Sequence, residues 1–408
     1  MHLLVINSGS SSIKFSIFST DGGAPHSTHE GEVTGIGSGH ASFAFGAVSS
    51  GKQKPESIKP KPEAIKADDQ IEAIARIVTA ISADGVPPAD AVGYRVVHPG
   101  EKLHSHVRID DAVLRDLDEA VVFAPLHDPS AIRIIREMMS RFPALPHFAC
   151  FDTVFHQTMP DVATAYAIPD EYRSHGVRRY GFHGLSCESI VKQMRKANFA
   201  IPHRMAIAHL GSGCSVTALI DGRSIDTTMG LTPTGGVVMG TRPGDLDPGL
   251  VLYLLRDMKG SREESFAAVE KLINHNAGIA ALSGIRNDMR DTRKAAADGN
   301  QRARLAIDVF TRSVRKAIGG FSWLMGGLDA IVFTGGIGEH DSASRAEITS
   351  GLGDLGVAMD ASLNEGDNSS SGDDIKSIAA AQSKTRILLI PAKEDWMIAR
   401  HMQQMLGS

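Results

Sequence analysis

Apolar residues along this chain follow two alternating rhythms. Short runs of aliphatic, β-branched and aromatic residues read as strands; longer stretches with apolar positions three and four apart read as helices. Strands are predicted over residues 3–6, 13–18, 91–97, 205–210, 215–220, 330–334 and 386–390. Helices are predicted over 70–83, 111–123, 129–142, 185–196, 249–257, 263–276, 302–323 and 394–405. Their interleaving predicts an α/β chain. Residues 36–68, rich in Gly, Ser, Lys and Pro, read as an exposed hairpin or loop, and residues 361–384 as a surface excursion. No fixed-period repeat is present, but a strand and a glycine-kinked turn occur near the N-terminus and again at 209–213. Two related halves facing each other across a cleft would explain that echo.

Length and charge narrow the picture. At 408 residues the chain exceeds one ordinary core and fits two domains. Its net charge of −5 gives no footprint for nucleic acid or an anionic membrane. No apolar run approaches the roughly 20 residues that span a bilayer. The first apolar stretch, residues 3–6, has no basic flank, so no signal peptide is expected. Cys150, Cys187 and Cys214 lack metal-ligand spacing and are odd in number, which points to a reducing, cytoplasmic setting.

The chemistry concentrates at turns. The segment from Asn7 through Ser12 to Lys14 is a hairpin tip presenting hydroxyls, amides and a cation, which suits phosphate. His209-Leu210-Gly211-Ser212-Gly213 lies between two predicted strands, where its glycines let backbone amides approach a ligand or simply close a hairpin. Gly335-Gly336-Ile337-Gly338-Glu339-His340 follows a strand and precedes a helix, a shape that holds nucleotides against a helix start. Arg95 interrupts an apolar strand and requires an anion, either an internal carboxylate or a substrate. Arg242 sits in a Gly-flanked loop, and two arginines from separate segments suit a transferring phosphoryl group. His183, framed by glycines and Phe182, and His127 are candidate functional histidines. Asp152 ends a strand-like run, where it is a catalytic carboxylate or a helix cap.

Two motifs are set aside. Residues 46–52 match most of a P-loop, but Gln53 replaces the hydroxyl residue and the following Lys-Pro-rich segment cannot be a helix. His104-Ser105-His106 could be a metal pair, but with no carboxylate or cysteine nearby it reads as a solvent-facing strand or loop.

In order, these segments resemble the acetokinase family, within the actin, hexokinase and Hsp70-like ATPase superfamily, across essentially the whole chain. The resemblance rests on Val-Ile-Asn-Ser-Gly-Ser-Ser-Ser-Ile-Lys at 5–14, Arg-Val-Val-His at 95–98, Ala-Pro-Leu-His at 124–127 and Phe-Asp-Thr-Val-Phe-His-Gln-Thr-Met-Pro at 151–160. It continues through Gly-Val-Arg-Arg-Tyr-Gly-Phe-His-Gly at 176–184, Asp-Thr-Thr-Met-Gly-Leu-Thr-Pro at 226–233, Met-Gly-Thr-Arg-Pro-Gly-Asp-Leu-Asp-Pro at 239–248 and Phe-Thr-Gly-Gly-Ile-Gly-Glu at 333–339.

The resemblance implies two ribonuclease H-like, actin-like domains with a nucleotide cleft between them. One would be residues 1–152 with 386–408; the other, residues 153–385, would carry nucleotide binding and dimerisation. It implies a cytoplasmic homodimer that reversibly phosphorylates acetate with ATP and Mg²⁺, Mn²⁺ being able to substitute, and that has neither nucleic-acid nor membrane partners. Asn7 and Glu394 would organise the metal, Asp152 would be the catalytic carboxylate, and Arg95 and Arg242 would clamp carboxylate and γ-phosphoryl oxygens. His183 would stabilise charge in flight and His127 would assist. Ser12, Lys14 and His209 to Gly213 would contact phosphates; Asp288, Met289, Arg290 and Gly336 to His340 would hold the adenosine end. Val97, Leu126, Phe182 and Pro233 would form the pocket for the methyl group. The chain departs from the family pattern at Tyr94, Asp128, Cys187, Ser212, Arg286 and Lys393. The alternatives are the same chemistry on propionate or butyrate, and an ATP-gated binding module. A dinucleotide oxidoreductase is disfavoured because no clean G-x-G-x-x-G follows the first strand.

Overall fold

The computed structural model describes residues 1–9, 11–48, 61–123, 128–366 and 375–407. The chain divides into two compact units. Unit 1 comprises Met1–Val154, Gly184–Ser189 and Lys393–Ser408; unit 2 comprises Phe155–His183 and Ile190–Ala392.

Unit 1 holds strands β1 (His2–Ser8), β2 (Ser12–Ser19), β3 (His26–Thr34), β4 (Ser42–Ala47), β5 (Glu63–Ala64), β6 (Ala91–Val96), β7 (Val107–Arg108) and β8 (His147–Phe151). They form one sheet in the order β5-β4-β3-β2-β1-β6-β8-β7. β1, β6 and β8 run parallel, while β1 to β4 form an antiparallel meander. Both faces of β1 are covered, which is why it reads as an unbroken apolar run in the sequence. Leu4 and Ile6 pack with Ile74, Ile77, Ile132 and Ile135 from the helices Gln70–Ile81 and Asp128–Arg141. Leu3 and Val5 pack with Met397, Ile398 and Met402 of the helix Glu394–Gly407.

Unit 2 holds β9 (Arg204–Leu210), β10 (Cys214–Ile220), β11 (Arg223–Thr227), β12 (Ala330–Thr334), β13 (Lys376–Ser377) and β14 (Arg386–Leu389), in the order β11-β10-β9-β12-β14-β13. β9, β12 and β14 are parallel, and β9 to β11 form an antiparallel meander. The series β11-β10-β9-β12-β14 thus repeats β3-β2-β1-β6-β8 of unit 1 in order and sense. The echoing turns in the sequence are the tips of equivalent hairpins. The helix Gln301–Leu324 buries Ala303, Ala306, Ile307, Phe310, Val314 and Ile318, a stripe of helical period, and starts under a cap from Asn300 to the Arg302 and Ala303 amides.

Every strand and helix predicted from periodicity is present, with ends shifted by a few residues. The described part of the region 36–68 holds β4 and β5, where composition predicts a hairpin or loop: Phe43 of β4 is buried and stacks on Phe15 with ring centroids 6.1 Å apart. Residues 361–384 contain the short helix Ala361–Glu365 and β13, while 367–374 lie outside the described residues. So do 49–60, which include the lysine of the P-loop-like segment.

Candidate functional site

In unit 1, Asn7 and Arg95 lie near the C-terminal ends of the neighbouring parallel strands β1 and β6, and Asp152 follows β8 directly. Side chains leaving that end of a parallel sheet are placed where open α/β sheets bind ligands. Asp152 is fully buried and accepts from Arg95 Nε at 3.0 and 3.2 Å, and from Arg95 Nη2. Arg95 Nη1 donates to Asn7 Oδ1 at 3.3 Å. The Asn7 amide in turn donates to Glu394 Oε2 at 3.2 Å and Asp395 Oδ1 at 3.0 Å, both in the first turn of Glu394–Gly407. Ser16 Oγ donates to the other Asp395 oxygen at 3.3 Å.

Burial works against the Arg95 charge, but Asp152, Glu394 and Asp395 more than offset it and hold the guanidinium well above its ordinary pKa. Burial raises the Asp395 carboxyl, and the Glu394 charge adds to the rise, while Asn7, Lys14 and Ser16 pull it back. A hard dication fits this group, because carboxylate and amide oxygens are its donors and the adjacent acids repel without one. Among the described residues, the acids here do not gather three ligand atoms at one point. An ion would therefore keep water or phosphate oxygens, as Mg²⁺ prefers. Lys14 pairs with Asn7 across β1 and β2 and is exposed, with Ser12 near the turn; Val97 is buried just beyond β6.

In unit 2, His183 adopts a left-handed conformation (φ 60°) immediately before the helix Gly184–Lys196. A non-glycine residue held there is strained, and such strain clusters at functional sites. Its Nδ1 lies 3.0 Å from Ser215 Oγ and its ring stacks on His209 with centroids 4.1 Å apart, fixing its orientation. A Cβ on Gly213 would come within 3.2 Å of His183 Nε2 and 3.7 Å of Arg242 Nη1, so the two groups converge where the chain has no side chain. Arg242 Nη1 donates to the carbonyl of the buried Pro233 at 2.7 Å.

The second glycine cluster meets the first. Thr334 pairs with His209 across β12 and β9. Gly335, at φ 77°, approaches so closely that a Cβ would lie 2.8 Å from the Leu210 carbonyl. Only glycine fits that position, and the helix Gly335–His340 begins there with Gly336 exposed. Apposed amide-rich loops beside a cation and an imidazole are equipped to surround phosphate.

The acetokinase family model matches residues 2–400. The chain belongs to the acetokinase family. An acetate kinase of Micrococcus luteus is 40% identical over 410 residues, 98% of each chain. A solved structure of a propionate kinase from Francisella tularensis superposes with a TM-score of 0.84 at 33% identity, covering 98% of each chain. The acetate kinase of Porphyromonas gingivalis gives 0.81 at 30% identity, covering 99% of each. This acetokinase is therefore a phosphoryl-transferring kinase with the two-domain actin-like ATPase fold.

The remaining candidates of the acetokinase site divide by role. Asp288 caps the helix Met289–Ala297 through the Arg290 amide at 2.8 Å and pairs with the Arg290 side chain, which lowers its carboxyl to about 2. Arg293 of the same helix bonds Asp341 at 2.6 Å, tying 288–290 to the segment 336–340. Glu339 is engaged by backbone: its Oε1 accepts from the Gly335 and Ala392 amides at 2.8 and 2.9 Å. His340 is exposed, Ile337 and Met289 are partly buried, and Gly338 and Phe182 are buried. His127 and Leu126 lie outside the described residues.

Ser16, Asp395, Ser215 and Asn287 join the two groups without having been singled out from the sequence. Asn287 Nδ2 donates to Ser212 Oγ at 3.0 Å, bracing the glycine loop. Asp395 had a local signal, its adjacency to Glu394 at a helix start; the others are revealed only by strand and loop contacts.

Asp128 of unit 1 is a strongly perturbed acid. Its Oδ1 accepts from the His98 amide at 3.4 Å while Oδ2 is buried without a partner. Burial, assisted by the Asp152 charge and opposed by the His98 and Val97 amides, pushes the carboxyl up to about 8. Folding therefore holds a proton that the unfolded chain releases above pH about 4, and stability declines as pH rises from about 4 to 8. Asp128→Asn should match the parent near pH 4 and exceed it by several kcal/mol, on the order of 3–5, near pH 8.5. Urea unfolding at both pH values checks this; the same stability difference at both would contradict it.

Proposed function

We propose that this acetokinase catalyses reversible, ATP-dependent phosphorylation of acetate to acetyl phosphate with Mg²⁺. The observation that carries the reading is the convergence of Arg242 and His183 on Gly213, beside the apposed loops at 209–213 and 335–340. Acetate is already ionised at neutral pH, so the nucleophile needs no general base and catalysis reduces to positioning and charge neutralisation. A carboxylate oxygen attacks the γ-phosphorus, the bond to the β–γ bridging oxygen breaks, and ADP leaves with the electron pair. The ion, when bound, neutralises phosphate charge.

Each side chain then has a role. Arg95 neutralises the acetate carboxylate, and Asp152 locks the Arg95 guanidinium in place. Asn7, Glu394 and Asp395 hold the ion. Arg242 and His183 stabilise the equatorial oxygens of the transferring group, while Ser12, Lys14 and the 209–213 amides contact phosphates. The segments 288–290 and 336–340 support the nucleoside. The family resemblance assigns contact with the acyl methyl group to Val97, Phe182, Pro233 and Leu126, and an assisting role to His127.

A homodimer is part of the proposal, because Leu252, Tyr253, Phe266 and Trp323 leave large apolar surfaces in water. A reducing cytoplasmic setting accords with three buried free thiols.

The kinship to a propionate kinase favours one rival substrate. One methylene in an apolar pocket changes discrimination by about 1–3 kcal/mol. With the bulk of Val97 at the pocket wall, kcat/KM for propionate should fall at least about tenfold below that for acetate. Acid-dependent ADP release measured with both acids tests this. Equal values, or a preference for propionate, would overturn acetate as the specific substrate.

A further inference from the structure

Unit 1 gathers a second group of ligating side chains. His106 immediately precedes β7, Glu188 lies in the helix Gly184–Lys196, and His401 lies in Glu394–Gly407. One ligand atom from each lies within 4.8 Å of the others. His401 Nε2 is 2.9 Å from Glu188 Oε2, and the His106 and His401 ring centroids are 3.9 Å apart with a 50° tilt. The His401 and Glu188 side chains are 14% and 18% exposed, so an ion can reach them from solvent. The short sequence His104-Ser105-His106 reads as a bare surface pair only because its carboxylate and second imidazole come from elements far along the chain.

His106 distinguishes this group from an ordinary ion pair. Its Nδ1 accepts from the Phe151 amide at 3.1 Å, and its Nε2 is buried with no partner. An Nδ1 that accepts from the Phe151 amide carries no proton, so the ring is neutral, the form that burial also favours. A neutral imidazole whose Nδ1 accepts carries its proton on Nε2. That leaves a buried N–H without an acceptor, a cost the fold has not relieved.

We propose that His106, Glu188 and His401 form a binding site for a borderline divalent ion of the zinc type, distinct from the oxygen-donor group at Asn7 and Glu394. Two imidazoles and a carboxylate with one position left for water are a zinc donor set, whereas Mg²⁺ prefers oxygens, so the two sites sort ions by donor chemistry. The proton balance has a structural consequence. For Nε2 of His106 to ligate, its proton must reappear on Nδ1, and any proton on His401 Nε2 passes to its own Nδ1 or to solvent. The new His106 Nδ1–H then faces the Phe151 N–H, donor against donor, and that hydrogen bond is lost. Phe151 directly precedes Asp152, so occupancy of this site is coupled to the strand end that holds Arg95. The ion should therefore lower turnover.

Calorimetric titration of the full chain with ZnCl₂ in excess Mg²⁺ tests binding without reference to activity. One zinc per chain is expected, with affinity reduced at least about tenfold in each of Glu188→Gln, His401→Gln and His106→Gln. Co²⁺ should give the visible absorption of four-coordinate cobalt in the parent and lose it in His401→Gln. No zinc binding, or binding and a cobalt spectrum unchanged by these substitutions, would overturn the site. Zinc should also lower kcat of the parent at saturating Mg²⁺ and leave Glu188→Gln unaffected. Equal inhibition of both would place the effect at the Mg²⁺ group and overturn the coupling.

Discussion

Arg242→Ala should lower kcat by about 10³-fold or more while the protein stays folded, the loss expected for an arginine that meets charge developing on a transferring phosphoryl group. The structural cost is small by comparison. The half-buried Arg242 donates through Nη1 to the Pro233 carbonyl at 2.7 Å and to Met239 Sδ at 3.8 Å, and such bonds are worth about 1 kcal/mol each. The catalytic cost is large because Arg242 sits with His183 around Gly213, where no side chain intervenes. Arg242→Lys should recover only part of the rate, since an ammonium keeps the charge but not the planar fork. Steady-state kinetics with both variants, alongside thermal melts, check the assignment. A change of only a few-fold in kcat would remove Arg242 from the chemistry.

Asp152→Asn should lose both activity and stability, for separable reasons. Asp152 is fully buried and engages Arg95 through two guanidinium nitrogens. Removing one charge of a buried pair leaves the other uncompensated, typically costing about 3–5 kcal/mol. Glu394, 3.9 Å from Arg95, retains part of the compensation, which puts the expected loss at the lower end, about 3 kcal/mol. Replacing both partners with apolar residues (Arg95→Met with Asp152→Leu) should restore much of the stability, because desolvation of the pair is no longer required. Turnover should stay at background in that double variant. Recovery of activity with stability would mean that the pair is architectural only, and chemical denaturation together with kcat separates the outcomes.

The sequence announced the parallel strands most clearly. Leu3 to Ile6 and Ala330 to Thr334 are apolar at every position or nearly so because both sheet faces are covered. β3 and β4 were hidden for the opposite reason. His26–Thr34 is mostly polar and half-exposed, and Phe43 and Phe45 of β4 sit among Gly and Ser that read as loop. The residues with unusual chemistry for their surroundings were also legible: Arg95 in an apolar strand, His183 between glycines, and the two glycine clusters that β9 and β12 bring side by side. What local pattern could not supply was partnership across long separations. The contact of Asn7 with Asp395 spans 388 positions, and His106 gains Glu188 and His401 only through packing of the helices Gly184–Lys196 and Glu394–Gly407. A two-histidine motif judged by its neighbours in the chain is judged on the wrong neighbours.

The measurement that bears most directly on the central claim is acyl-hydroxamate formation with ATP, Mg²⁺ and hydroxylamine, comparing acetate with propionate, butyrate and a control lacking acid. Acetate should give the strongest product, propionate less, and the control none, since only an acyl phosphate delivers the acyl group to hydroxylamine here. No acid-dependent product, in protein that still binds ATP, would contradict acyl-phosphate synthesis and leave an ATP-gated binding module as the reading of the same residues.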